Sequence, residues 1–209
     1  MPAATSDQSG AGCQRRGAMP GAIAMRSAVV LLVLVVLATA ALAQSSAFVM
    51  HDRPRDLPDI EFANRAGETV RLADFRGRLV LLNIWATWCA PCRREMTTLD
   101  RLQVELGGPD FEVLALAVDR KGLDAVEKFY AELGLERLAI YVDESTRAAR
   151  LLGALGLPTT LLIDREGKEI GRLLGPAEWD SPEMISFFRS LIEPGPERAR
   201  LGPSKKDPA

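Results

Sequence analysis

Cys89 and Cys92 stand three positions apart inside the run Asn83–Met96, "NIWATWCAPCRREM". Two thiols at that spacing can close a small structural disulfide, supply half of a tetrahedral metal site, or exchange electrons with another protein's disulfide. A metal site needs further nitrogen or sulfur ligands, and beyond the pair the chain offers only Cys13 and His51. A structural disulfide across so short a loop constrains the unfolded chain little. Electron exchange requires an accessible sulfur that ionises easily and a second sulfur in reach. Which of these applies depends on the elements that carry the pair.

Leu79–Trp85, "LVLLNIW", is a nearly continuous apolar run, the pattern of a central strand covered on both faces. Met96, Leu99, Leu102 and Leu106 follow at helical spacing. The pair therefore lies where a strand ends and a helix begins. Unpaired amides and the helix dipole at that end favour an anion, so Cys89 is expected to be the attacking thiolate. Cys92, one helical turn on, is then the resolving sulfur. Pro91 stiffens the first turn. The Ala90-Pro91 dipeptide brings no histidine cation that would over-stabilise the thiolate, which points to a reducing pair.

The rest of the chain continues the alternation. "FEVLALAV" (Phe111–Val118) reads as a second buried strand, and Val126, Phe129, Tyr130 and Leu133 as the apolar face of a helix. Ala139–Val142 is a shorter strand. Ala148, Leu151, Leu152 and Leu155 give a short helix that stops near Gly156. "PTTLLID" and "EIGRLLG" form a hairpin, and Ser181-Pro182 open a last helix carrying Met184, Phe187, Phe188 and Leu191. These elements describe one α/β domain with a mixed sheet, at 58–193.

Outside it, 1–24 reads as a disordered extension, 44–57 as a Pro-containing linker with a solvated His51, and 194–209 as a disordered tail. Residues 25–43 carry a positive flank at Arg26, an apolar run and the small-x-small exit Ala41-Leu42-Ala43. This is a signal peptide cut after Ala43 or a retained anchor in the inner membrane at 27–43, and both alternatives stay open, as do starts at Met19 or Met25. Either way the domain is expected to be exported to the periplasm. The 26 Lys and Arg against 28 Asp and Glu carry no basic excess and form no long one-signed run, so no nucleic-acid partner is expected.

"NIWATWCAPCRREM", the export segment and the downstream "GLPTT" together resemble the thioredoxin superfamily, and within it the TlpA/ResA branch, over roughly 57–191. The resemblance implies a thioredoxin-like fold, a central mixed β-sheet with α-helices on both faces. It implies a thiol–disulfide oxidoreductase, a protein-disulfide reductase acting outside the cytoplasm by dithiol–disulfide exchange at Cys89 and Cys92, with no cofactor or metal. Its partners would be client proteins bearing disulfides, in cytochrome c maturation or cytochrome oxidase copper-site assembly, and an upstream membrane thiol reductant. A monomer is expected.

By the same resemblance, Pro158 matches the family's cis-proline facing the pair, with Leu157 offering its backbone to a bound polypeptide. Glu95 matches a carboxylate placed near the buried sulfur, able to shuttle a proton to or from Cys92. Asn83 occupies the position of a buried aspartate in cytoplasmic thioredoxins and cannot titrate. Trp88 is expected to shield the site and contact partners, and Trp85 to be core. The alternative is a copper-binding metallochaperone on the same fold, although no histidine follows Cys92. A peroxidase is unsupported, because the residues before Cys89 lack Thr-x-x-Cys geometry.

Overall fold

The structure is a computed structural model and describes residues 48–193. The expectations for 1–24, 25–43 and 194–209, and Cys13, lie outside the described residues. Among the described residues no helix is long and apolar enough to cross a membrane.

The strands are β1 (Val49–Arg55), β2 (Glu61–Asn64), β3 (Thr69–Arg71), β4 (Leu79–Trp85), β5 (Phe111–Ala117), β6 (Tyr141–Val142), β7 (Thr159–Ile163) and β8 (Glu169–Leu174). The helices are α1 (Ala90–Leu106), α2 (Gly122–Leu133), α3 (Arg147–Leu151) and α4 (Pro182–Ile192), with a 3₁₀ turn at Leu72–Phe75. The strands form one sheet in the order β1-β8-β7-β4-β5-β6-β2-β3. β4 runs parallel to β5 and antiparallel to β7, so the sheet is mixed and β4 is interior.

Every residue of β4 is buried, as its unbroken apolar run requires. Side chains alternate across the pleat. Leu79, Leu81 and Trp85 face a core containing Met96, Leu99 and Leu102 of α1, Phe129 of α2 and Phe188 of α4. Val80, Leu82 and Ile84 face the opposite core, with Phe62, Phe75, Ala148 and Ala149. Each fully buried large side chain contributes about 1.5–3 kcal/mol, and helices cover both faces. The same alternation turns Asn83 toward α1.

The linker expectation for 44–57 fails in part. Residues 49–55 form β1, which pairs antiparallel with β8 at the sheet edge. An edge strand tolerates the missing amide of Pro54, so proline did not bar a strand here. His51 is accordingly not solvated. Its side chain is 7% exposed, and Nε2 lies 3.0 Å from Glu169 Oε1.

A second correction concerns the helix before the Leu157–Pro158 bond. α3 ends at Leu151, which is 44% exposed, and Leu155 lies beyond it, fully exposed. Gly153, at φ 65°, turns the chain out of the helix in a conformation that side chains disfavour.

Candidate active site

Cys89 is the N-cap residue of α1, with extended backbone, and its Sγ accepts the Cys92 backbone N–H at 3.3 Å. Pro91 sits in the first turn, where its missing amide removes no intrahelical bond. Cys89 and Cys92 form a disulfide with Cα atoms 5.3 Å apart. Their environments differ: Cys92 is fully enclosed, whereas Cys89 retains a little exposure at the lip of a groove.

The turn that delivers Cys89 is held from two sides. Asp119, just past β5, accepts from the Thr87 amide at 3.1 Å, from the Thr87 hydroxyl, and from the Lys121 amide at 3.0 Å. Burial opposes the charge on Asp119, but these hydrogen bonds outweigh it and hold the carboxyl below its ordinary range. Arg93 donates to the Thr87 carbonyl at 3.0 Å and stacks over the Phe129 ring, 4.6 Å from its centroid. The strand-to-helix turn is thus rigid on both flanks of the sulfur.

The groove beside Cys89 is mostly apolar, lined by Trp88, Pro91, Val118, Leu155 and Leu157, with Thr146 adding a hydroxyl. The Leu157–Pro158 bond is cis. Trp88 is 67% exposed and Leu155 is 100% exposed. Solvated apolar side chains beside a sulfur need explanation, because large side chains are normally withdrawn from water. The structure therefore brings Trp88, Leu157 and Cys89 to one groove, with Cys92 enclosed behind Cys89, and adds Leu155, whose spacing had placed it in the short helix before Gly156. A clue was present in the short, glycine-broken segment Gly153–Gly156, which leaves no room for another helical turn.

Glu95 is buried on the α1 face that also carries Cys92, three residues earlier. Its carboxylate has a partner on each side: Asn83 Nδ2 donates to Oε1 at 2.9 Å, and Trp179 Nε1 and the Ala177 amide both donate to Oε2 at 2.9 Å. Burial pushes its pKa from 4.5 up to about 6, and the three hydrogen bonds limit the rise. Asn83 Nδ2 also bonds Thr160 Oγ1 at 2.9 Å, while its Oδ1 is buried with no hydrogen-bond partner. Trp179 was missed by sequence reasoning, although a tryptophan in the otherwise polar, Pro-containing "GPAEWDS" was a signal that it is anchored. Trp85 is core, as expected. Among the described residues no group of three or more His, Cys, Asp or Glu side chains converges.

A family model for the AhpC/TSA family matches residues 55–168, more than half of the sequence. The chain belongs to the AhpC/TSA family. Among relatives, the thiol-disulfide oxidoreductase ResA of Bacillus cereus is 31% identical over 140 residues, covering 67% of this chain and 78% of that protein. Among solved structures, a Chlorobium tepidum protein assigned as a thiol:disulfide interchange protein DsbE superposes with a TM-score of 0.60 at 31% identity. It covers 68% of this chain and 99% of its own. The exposed lipoprotein thioredoxin Etrx1 of Streptococcus pneumoniae superposes at 0.52 with 29% identity, covering 64% of this chain and 98% of its own. The fold of this AhpC/TSA-family chain is thioredoxin-like, and its activity is that of a thiol–disulfide oxidoreductase of the ResA/DsbE type.

Proposed function

We propose that the protein is an exported reductase of client disulfides, working through Cys89 and Cys92. The observation that carries this reading is the unequal placement of the two sulfurs: one at a helix N-cap on the lip of an apolar groove, the other enclosed behind it.

The Cys89 thiolate attacks a client disulfide. One client sulfur bonds to Cys89, and the other leaves as a thiolate that takes a proton from water. Cys92 then loses its proton to the Glu95 carboxylate and attacks Cys89 Sγ. The mixed disulfide breaks, the Cys89–Cys92 bond forms, and the client leaves as a dithiol. Two electrons pass from the pair to the client, and an upstream membrane thiol reductant restores the pair. The helix amides stabilise the attacking anion, and the groove of Trp88, Leu155 and Leu157, the last held by its cis bond to the buried Pro158, seats the client backbone and its apolar side chains. No cofactor beyond the cysteine pair enters these steps.

The exposed lipoprotein among the structural relatives and the apolar segment at 25–43 support a site outside the cytoplasm, with residues 27–43 as the inner-membrane tether if uncleaved. Clients of cytochrome c maturation or of cytochrome oxidase copper-site assembly suit an exported reductant, because both processes present cysteine pairs that must be reduced before they bind haem or copper. The test is Cys92→Ser in the full chain. It is expected to accumulate a mixed disulfide through Cys89 when oxidised clients are present. No such adduct under those conditions would end this reading.

A further inference from the structure

The segment joining β8 to α4, residues 175–181, lies over the buried face of α1 and is fastened there at separate points. The Ala177 amide and the Trp179 indole reach Glu95 Oε2. The Trp179 amide donates to Thr98 Oγ1 at 3.3 Å, and Asp180 Oδ2 accepts from Arg101 Nε at 2.5 Å. Trp179 is fully buried among Phe48 and Phe188, so its ring is fixed by packing as well as by hydrogen bonds.

The two oxygens of Glu95 are not equivalent. A backbone amide and an indole are donors only. Oε2 receives both, so a proton placed on Oε2 would meet two N–H groups that cannot reverse. Oε1 receives one N–H, from Asn83, whose amide carries an acceptor as well as a donor. Asn83 Oδ1 has no partner, and Thr160 Oγ1, on the other side of Nδ2, can either accept or donate. Turning the Asn83 amide over would offer Oδ1 both to a proton on Oε1 and to the Thr160 hydroxyl, and would move Nδ2 into the place where Oδ1 now has no partner, so the turn is favoured only while Oε1 carries the proton. Burial makes such matching matter, since an unpaired polar atom away from water is expensive.

We propose that Trp179 and Asn83 are positioning residues that divide the work of the Glu95 carboxylate: Trp179 pins Oε2 as a permanent acceptor, and Asn83 serves Oε1, the oxygen that gains and loses the proton. This rests on the reading that Glu95 handles the proton of Cys92, but it concerns the carboxylate itself and can be measured without turnover. The Trp179 hydrogen bond stabilises only the charged form, so its removal raises the pH at which Glu95 ionises. A hydrogen bond to a charged group is worth enough to move that midpoint by about one pH unit. Asn83 serves both forms, so its loss moves the midpoint less while leaving Oε1 without a partner in each.

The experiment is infrared difference titration of the oxidised full-length protein, following the carboxylic-acid carbonyl stretch that Glu95→Gln abolishes. In Trp179→Phe the midpoint is expected to rise by about one pH unit. Replacing Trp179 with benzothienylalanine, which keeps the ring shape and puts sulfur where the indole N–H was, is expected to give the same rise. Asn83→Leu is expected to shift the midpoint less and to raise the carbonyl frequency, because the neutral acid loses its acceptor. A midpoint that stays in place or falls in the benzothienyl variant overturns the proposal. So does an Asn83→Leu carbonyl band at the wild-type frequency. A full rise in the benzothienyl variant, alongside a Cys92→Ser protein that traps no client, would sustain the division of the Glu95 oxygens while removing the function proposed for it.

Discussion

Glu95→Gln offers the sharpest reading of the buried carboxylate. Burial raises the Glu95 pKa from 4.5 to about 6 against three hydrogen bonds that favour the anion. At about 1.36 kcal/mol per pH unit, that rise corresponds to about 2 kcal/mol. The sign follows from linkage: the folded state holds the proton more tightly than the unfolded state, so folding stability falls as pH climbs from 4.5 through about 6 and is level on either side. Glutamine cannot ionise. It also sets an N–H against one of the three donors, but that penalty does not vary with pH. Urea unfolding of both oxidised proteins across this range isolates the term, since every other titrating group cancels in the difference. Wild type is expected to lose about 2 kcal/mol relative to the variant between acid and neutral pH. A difference that stays flat, or one in which wild type gains on the variant as pH rises, refutes the dominance of burial at this site.

Leu155→Ser is expected to lower kcat/KM for protein clients roughly tenfold, from the burial of one leucine, and to leave reduction of a small soluble disulfide unchanged; insulin and the aromatic disulfide dithiobis(nitrobenzoate) separate the two. Glu169 is buried, but its hydrogen bonds from Arg172 (2.7 and 2.9 Å) and His51 outweigh burial and hold its pKa below the ordinary value. Its contribution is therefore complete above about pH 4.5 and disappears as pH falls through the folded value, so Glu169→Gln is expected to flatten the acid limb of a melting-temperature profile. Phe188→Ala removes a fully buried ring that packs against Phe111 and Trp179, and urea unfolding is expected to show a loss of about 3–5 kcal/mol.

The interior of this fold was legible because its elements bury whole faces. An unbroken apolar strand such as β4 and an i, i+3, i+4 helix such as α2 leave one physical solution each. The position of Cys89 followed from that boundary alone. What escaped were features set by contacts distant in sequence. β1 is a strand because β8 presents an edge to it, and nothing in "VMHDRPR" specifies that pairing. Its His51 is buried by Glu169, 118 residues away. Leu155 follows the helical spacing of α3, yet it points to solvent because Gly153 has already ended the helix. Trp179 meets Glu95 across 84 residues, a contact that no local pattern encodes.

Disulfide exchange depends on Cys89 being an accessible thiolate stabilised by the start of α1, and the most direct measurement is its alkylation rate against pH. The reduced full-length protein would be treated with iodoacetamide and each cysteine quantified by peptide mass spectrometry, which separates Cys89 from Cys92 and Cys13. The prediction is modification at Cys89 well ahead of Cys92, with an inflection more than about one pH unit below the ~8.5 of a free thiol. Equal labelling of the two sulfurs, or an inflection at the free-thiol value, would contradict it.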